Sequence, residues 1–151
     1  PILSRTLSNP KEQNAVSTKE EINDFLQQAF PQAPVVVDSV EKMKSVVRFR
    51  VSERSLRPGG SVSGPVIMTL ADTALYVAIL GTIGIVPMAV TTNLNINFLR
   101  MPSAGIDLLG YCTLIKVGSK LAIGEVFIYS ENEDEPVAHA TGTYSIPPKR
   151  D

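Results

Sequence analysis

Asp72 stands where an acidic side chain is least expected. It lies in Met68-Thr-Leu-Ala-Asp-Thr-Ala-Leu-Tyr76, inside a run from Pro65 to Val86 that is otherwise almost free of charge. An ionised carboxylate buried there is costly unless it is paired or hydrogen-bonded. If the run is a helix, Thr69, Asp72 and Tyr76 fall on one face by their i, i+3 and i+4 spacing. Two readings follow. One is a buried acid satisfied by Thr69, Tyr76 or a neighbouring strand; the other is a general base or nucleophile.

Gly59-Gly60-Ser-Val-Ser-Gly64-Pro65 precedes that run. A glycine-containing loop entering a helix presents free amides and the positive end of the helix dipole, a place for a phosphate or a developing oxyanion. It can equally be a loop that needs positive φ. Gly64 precedes Asp72 by eight residues, about 12 Å along a helix at 1.5 Å per residue. One small reacting group cannot touch both within one chain. Joint action therefore requires a dimer, with Asp72 from one subunit and Gly64 from the other.

Other polar residues are candidates of lower information. Thr92 is placed between Val90 and Leu94 on the apolar face of a strand, as a satisfied core hydroxyl or as a holder of water. Arg100, Lys116 and Lys120 sit near expected strand ends, where a phosphate-bearing ligand could reach them. Lys42, Lys44, Arg48 and Arg50 read as a solvated strand face. His139 reads as a surface residue and Cys112 as core.

Composition narrows the class. The chain has 151 residues, 44% hydrophobic and 19% charged, enough for one domain with its own core. A net charge of −1 argues against a nucleic-acid partner. One cysteine and one histidine exclude an internal disulfide and a Cys/His zinc site, so no metal is expected. The charge is unevenly distributed. Between Ser61 and Ser130 only Asp72, Arg100, Asp107, Lys116, Lys120 and Glu125 are charged, so the middle of the chain is expected to be buried. A membrane span over Pro65–Val86 is disfavoured by the central carboxylate. Pro1 to Ala15 has no apolar run behind a basic start, so a cytoplasmic location is expected.

The elements that must position these residues follow from periodicity. Residues 1–17 read as a flexible arm and 18–151 as a single domain. Ser17 or Thr18 caps a helix ending before Pro31. Strands are expected over Val35–Glu41 and Ser45–Ser52, and a helix buried on most sides starts at Pro65. After Pro87 the period becomes two, with Val90, Leu94, Ile96 and Phe98 facing one way. Strands Ile106–Val117 and Leu121–Ser130 form a hairpin, and Pro136–Ile146 is the last strand. Its small even positions, Ala138, Ala140 and Gly142, suit a closely packed helix. The class is α+β, an antiparallel sheet around a helix.

Gly59-Gly60-Ser-Val-Ser-Gly-Pro, Leu70-Ala-Asp-Thr-Ala and Thr91-Thr-Asn-Leu-Asn-Ile-Asn-Phe-Leu-Arg together resemble the hotdog-fold acyl-CoA thioesterases of the phenylacetate-pathway type. The resemblance covers roughly residues 35 to 147. It implies a long central helix wrapped by a curved antiparallel sheet. It also implies hydrolysis of an acyl-CoA thioester at a site between the protomers of a homodimer, which can pair further into a tetramer. Coenzyme A is then part of the substrate, and no separate cofactor is implied. Asp72 takes the position of the family's base or nucleophile and Gly64 that of its oxyanion donor. Thr91 or Thr92 lies near the hydroxyl that positions water. The His-Gly-Gly usual at the helix start is Ser63-Gly64-Pro65 here, so Ser63 inherits any orienting role. That departure leaves a second reading, a non-catalytic module that binds acyl-CoA or lipid.

Overall fold

The computed structural model describes residues 14–148. Most of the expected N-terminal arm lies outside the described residues. Of its last part, the Val16 amide donates to Gly81 O at 2.7 Å and Ser17 is buried.

Helix α1 spans Lys19–Ala29. Thr18 caps it, with a reciprocal bond between the Thr18 and Glu21 side chains and backbone amides. Strands β1 (Val35–Glu41) and β2 (Lys44–Phe49) follow as a hairpin. The chain then makes a short 3-10 turn at Glu53–Ser55 and enters α2, Gly64–Ile83. After it come β3 (Val90–Phe98), β4 (Leu108–Val117), β5 (Leu121–Ser130) and β6 (Ala138–Ser145). The six strands form one antiparallel sheet in the order β1-β2-β4-β5-β6-β3. The sheet wraps α2 in the expected hotdog arrangement.

Several boundaries differ from the periodicity. Helix α2 begins one residue before Pro65, with Ser63 as its N-cap. Strand β2 stops at Phe49 instead of Ser52, because the Val51 amide leaves the ladder for the Asp107 carboxylate at 3.1 Å. Strand β4 starts at Leu108 instead of Ile106. Strand β6 covers Ala138–Ser145 instead of Pro136–Ile146; Pro136 has no N–H to give to a ladder.

Helix α2 is long and apolar enough to cross a membrane by composition, yet most of its C-terminal half, Ala74 to Gly81, is buried within this fold. Two approaches of helix to sheet are equally tight: Gly81 of α2 against β1, where a Cβ would lie 2.4 Å from Val40 Cγ2, and Leu75 against β5 and β6. Gly124 and Gly142 are paired across these strands. A Cβ on Gly142 would lie 2.4 Å from Leu75 Cδ1, and one on Gly124 would lie 2.8 Å from Leu75 Cδ2. The two glycines thus form a socket for Leu75, itself 1% exposed. Interiors packed to this density do not absorb an extra methyl without displacement. Gly142→Ala is expected to destabilise the fold by roughly 1–3 kcal/mol. Gly118→Ala, whose Cβ would meet nothing closer than 3.5 Å, is expected to change it far less. Urea unfolding of the two variants beside wild type checks this; equal midpoints would contradict the socket.

Candidate active site

Asp72 lies on α2 where the helix face is no longer sealed by the sheet. Its half-buried side chain opens on a cavity of about 400 Å³. Apolar walls come from α1 and the chain after it (Leu26, Phe30, Val35) and from Tyr76, Pro87 and Ala89. Thr69, Thr73, Thr91 and Tyr144 supply the polar groups beside Asp72. The cavity is mostly apolar with a few convergent polar groups, the usual make-up of a small-molecule site.

The carboxylate is held by strands and not by its own helix. Thr91 Oγ1 donates to Asp72 Oδ1 at 2.5 Å, and Tyr144 Oη donates to the same oxygen at 2.8 Å. Tyr144 Oη also lies 3.1 Å from Asp72 O. Thr69, expected as a partner, donates back to Pro65 O at 3.0 Å. Tyr76, also expected as a partner, donates to Pro87 O at 3.2 Å, so of the three expected alternatives it is the neighbouring strands that satisfy the acid. Burial pushes the Tyr144 hydroxyl up from its ordinary value, and the charge of Asp72 adds to the shift. Burial likewise raises Tyr76. Both phenols therefore remain protonated donors through the neutral range.

A bulge between Thr91 and Asn93 decides which threonine faces the helix. Thr91 pairs with Tyr144 and Asn93 with Thr143, leaving Thr92 as the extra residue. Strict alternation from Leu94 placed Thr92 toward the helix. The bulge corrects this: Thr92 Oγ1 donates to Thr143 O at 3.3 Å, and Thr91 takes the inward place.

The helix start lies elsewhere. Gly64 is the first residue of α2 and sits against Phe98, whose ring would lie 3.5 Å from a Cβ at that position. The Ile67 amide bonds to Ser63 O at 3.3 Å. Among the described residues the Gly64 and Val66 amides have no acceptor, and Ser63 makes no side-chain cap bond. Gly59 and Gly60 have φ of 99° and 87°, so these two glycines do serve the loop's backbone.

The remaining candidates separate into two ends of the sheet. Asp72 is tied to Thr91 at the start of β3, and Gly64 packs on Phe98 at its last residue. Lys120 is beside the Asp72 end, since Ile146, two residues past Tyr144, donates to Lys120 O. Lys116 belongs to the same β4–β5 hairpin end. Arg100 is at the opposite end, bonded to Pro136 O at 2.8 Å and paired with Glu135. Arg48 is not a freely solvated strand residue: it pairs with Asp38, Asp107 and Glu131. His139 is half-buried on the outer sheet face, 3.1 Å from Glu125 and against the Phe127 ring. No group of three or more His, Cys, Asp or Glu able to hold a metal occurs among the described residues.

Comparisons with known proteins give the family. The family model for the thioesterase superfamily matches residues 59–137, which hold Gly64, Asp72 and Thr91. A candidate thioesterase from Silicibacter sp. TM1040 is 41% identical, with a TM-score of 0.83 over 91% of this chain and 97% of that one. A Streptococcus mutans protein whose crystal structure contains acetyl-CoA is 28% identical, with a TM-score of 0.67 over 76% and 90% of the two chains. The PaaI protein from the phenylacetic acid degradation operon of E. coli shares the fold at 24% identity, with a TM-score of 0.69 over 83% and 86%. A comparison with curated proteins found no match.

Cys112 lies outside the site, 2% exposed on β4. Burial pushes its thiol up, and the charge of Glu125 adds to the effect. A raised pKa keeps the sulfur as unreactive thiol. Native protein is therefore expected to give no reaction with a disulfide reagent at pH 8, and one equivalent after denaturation. Rapid labelling of the folded protein would contradict this placement.

Proposed function

The chain belongs to the thioesterase superfamily and is a thioester hydrolase, and from that premise we propose that it cleaves acyl-CoA at a site shared by two copies of the chain. The observation that carries the proposal is the Asp72 carboxylate, held by Thr91 and Tyr144 and opening on an apolar cavity. In this reading the acyl group lies in the cavity and Asp72 acts at the thioester carbonyl, as base for a water or as nucleophile. The carbonyl oxygen gains negative charge as the tetrahedral intermediate forms, and a preorganised amide stabilises it. The CoA thiolate then departs. The acetyl-CoA bound by the Streptococcus mutans protein supports CoA as the carrier.

Gly64 supplies the amide, from the partner copy. Among the described residues, strand β3 is a sheet edge with no strand on its outer side. Exposed Val90, Phe98, Leu99 and Met101 lie along or just beyond it. Such an edge is a ready template for a second chain. Thr91 and Phe98 are seven residues apart, roughly 23 Å along a strand. A two-fold axis near the middle of β3, with the two edges antiparallel, brings the Thr91 end of one copy beside the Phe98 end of the other. Asp72 travels with the first end and Gly64 with the second. Lys116 and Lys120 of one copy and Arg100 of the other then lie near the same site, available to the CoA phosphates.

Subunit complementation tests the shared site. Asp72→Asn removes the base, and Gly64→Pro removes the amide at a helix position that tolerates proline. Each homodimer is expected to lose at least about a hundredfold in acyl-CoA hydrolysis, followed by release of free thiol. Random mixing makes about half the dimers mixed, each with one intact site of two, so about a quarter of wild-type activity should return. A mixture as inactive as its parents would place Asp72 and Gly64 action within one chain.

A further inference from the structure

We propose that Tyr144 is a positioning residue that gives the two oxygens of Asp72 different jobs; this rests on the reading of Asp72 as the reacting group. Both side-chain donors that reach the carboxylate converge on Oδ1: Thr91 Oγ1 at 2.5 Å and Tyr144 Oη at 2.8 Å. Among the described residues no donor reaches Oδ2. A carboxylate accepts on both oxygens, so filling one with two donors leaves the other as the free acceptor. Oδ2 is then the atom that takes a proton from water or meets the carbonyl carbon.

The two donors are unequal in rigidity. Thr91 is exposed on the sheet edge, whereas Tyr144 is 4% exposed and clamped. Its ring stacks on Tyr76 with centroids 5.8 Å apart and planes 20° apart. Tyr76 is tied in turn to Pro87 O. The register of β6 brings the tyrosine to this place. Gly142 lets the strand close onto Leu75, and Tyr144, on the same strand face two residues later, arrives one helical turn away at Asp72. One hydroxyl proton serves both Asp72 O and Oδ1, and the charged oxygen is the stronger acceptor. Because the carbonyl belongs to the helix and the carboxylate to its side chain, the same hydroxyl also fixes how the side chain sits on α2. The phenol lies against the carboxylate without facing it as an acid: its raised pKa keeps the proton on the tyrosine.

The test compares wild type, Asp72→Asn, Tyr144→Phe and a variant with 3-fluorotyrosine placed at position 144, each assayed on a panel of acyl-CoA thioesters. Tyr144→Phe keeps the ring stack and removes only the hydroxyl. Its kcat is expected to fall about tenfold to hundredfold, with KM changed by less than about threefold. The fluorinated tyrosine restores a donor and should bring kcat back to within about threefold of wild type. If wild type cleaves the thioesters, Asp72→Asn does not, and Tyr144→Phe equals wild type, the positioning role alone is overturned. A rise in KM at constant kcat also overturns it, by making Tyr144 a substrate contact. So does a loss that the fluorinated residue fails to restore. Should Tyr144→Phe not fold, the mono- and difluorotyrosine variants replace it, and a kcat indifferent to their donor strength counts against the proposal. Absence of hydrolysis by wild type, or full activity in Asp72→Asn, overturns the underlying reading and this one with it.

Discussion

The close contact between α2 and the β5–β6 pair is the constraint on which the rest of the structure depends. Leu75 occupies the space that two side chains would need at Gly124 and Gly142. That contact sets the height of the helix above the sheet and the register of β6 along it. Tyr144 reaches Asp72 only because β6 runs this close. The tyrosine ring and the Thr91 hydroxyl then occupy the inner places at the end of the sheet, where α2 emerges from cover. A packing detail with no polar atom in it thus decides the environment of the acid.

The same geometry explains why an acid is tolerated in an apolar helix. Asp72 is not sealed in the core. It sits at the margin of the buried face, with two hydroxyl donors on one side and a cavity on the other. The expected cost of a central buried charge is therefore largely avoided. Structural and functional readings of the residue meet here. The donors that satisfy the charge converge on one of its oxygens, and the residue as a whole lines the cavity.

Much of the fold was legible because long elements carry strong periods. The apolar run after Ser63 reads as a helix buried on several sides, with Asp72 weighing against a membrane span, and the alternation from Leu94 to Phe98 reads as a half-covered strand. Asp72 and Gly64 were legible as outliers, a charge where charge is rare and a glycine at a helix entrance. That a neighbouring strand could satisfy Asp72 was legible too, but not which strand residues do so. A one-residue bulge at Thr92 inverts the faces of the residues before it, and alternation counted back from Leu94 gave the wrong threonine. Tyr144 carries a weaker signal in the sequence. It continues the series Ala138, Ala140, Gly142, so its face was known, but which helix residue it meets depends on a register that no local pattern encodes.

The departure at the helix entrance bears on this division between local and long-range information. Ser63 replaces the histidine expected from the resemblance, and its hydroxyl makes no cap bond. A side chain could contribute to an oxyanion site there, but the amides of Gly64 and Val66 do not depend on it. They are left without acceptors by the start of the helix itself, on either side of a proline that has no amide to offer. A donor set made from main chain survives substitution of its neighbours as long as the helix starts at the same residue. Ser63 fixes that start through its backbone, with its amide on Ser55 O at 2.9 Å and its carbonyl on Ile67. The acid is likewise held by groups from β3 and β6, none of them near residue 63. In the proposed reading, neither the acid nor the amide requires the missing imidazole for its geometry, and the substitution falls beside these groups instead of on them.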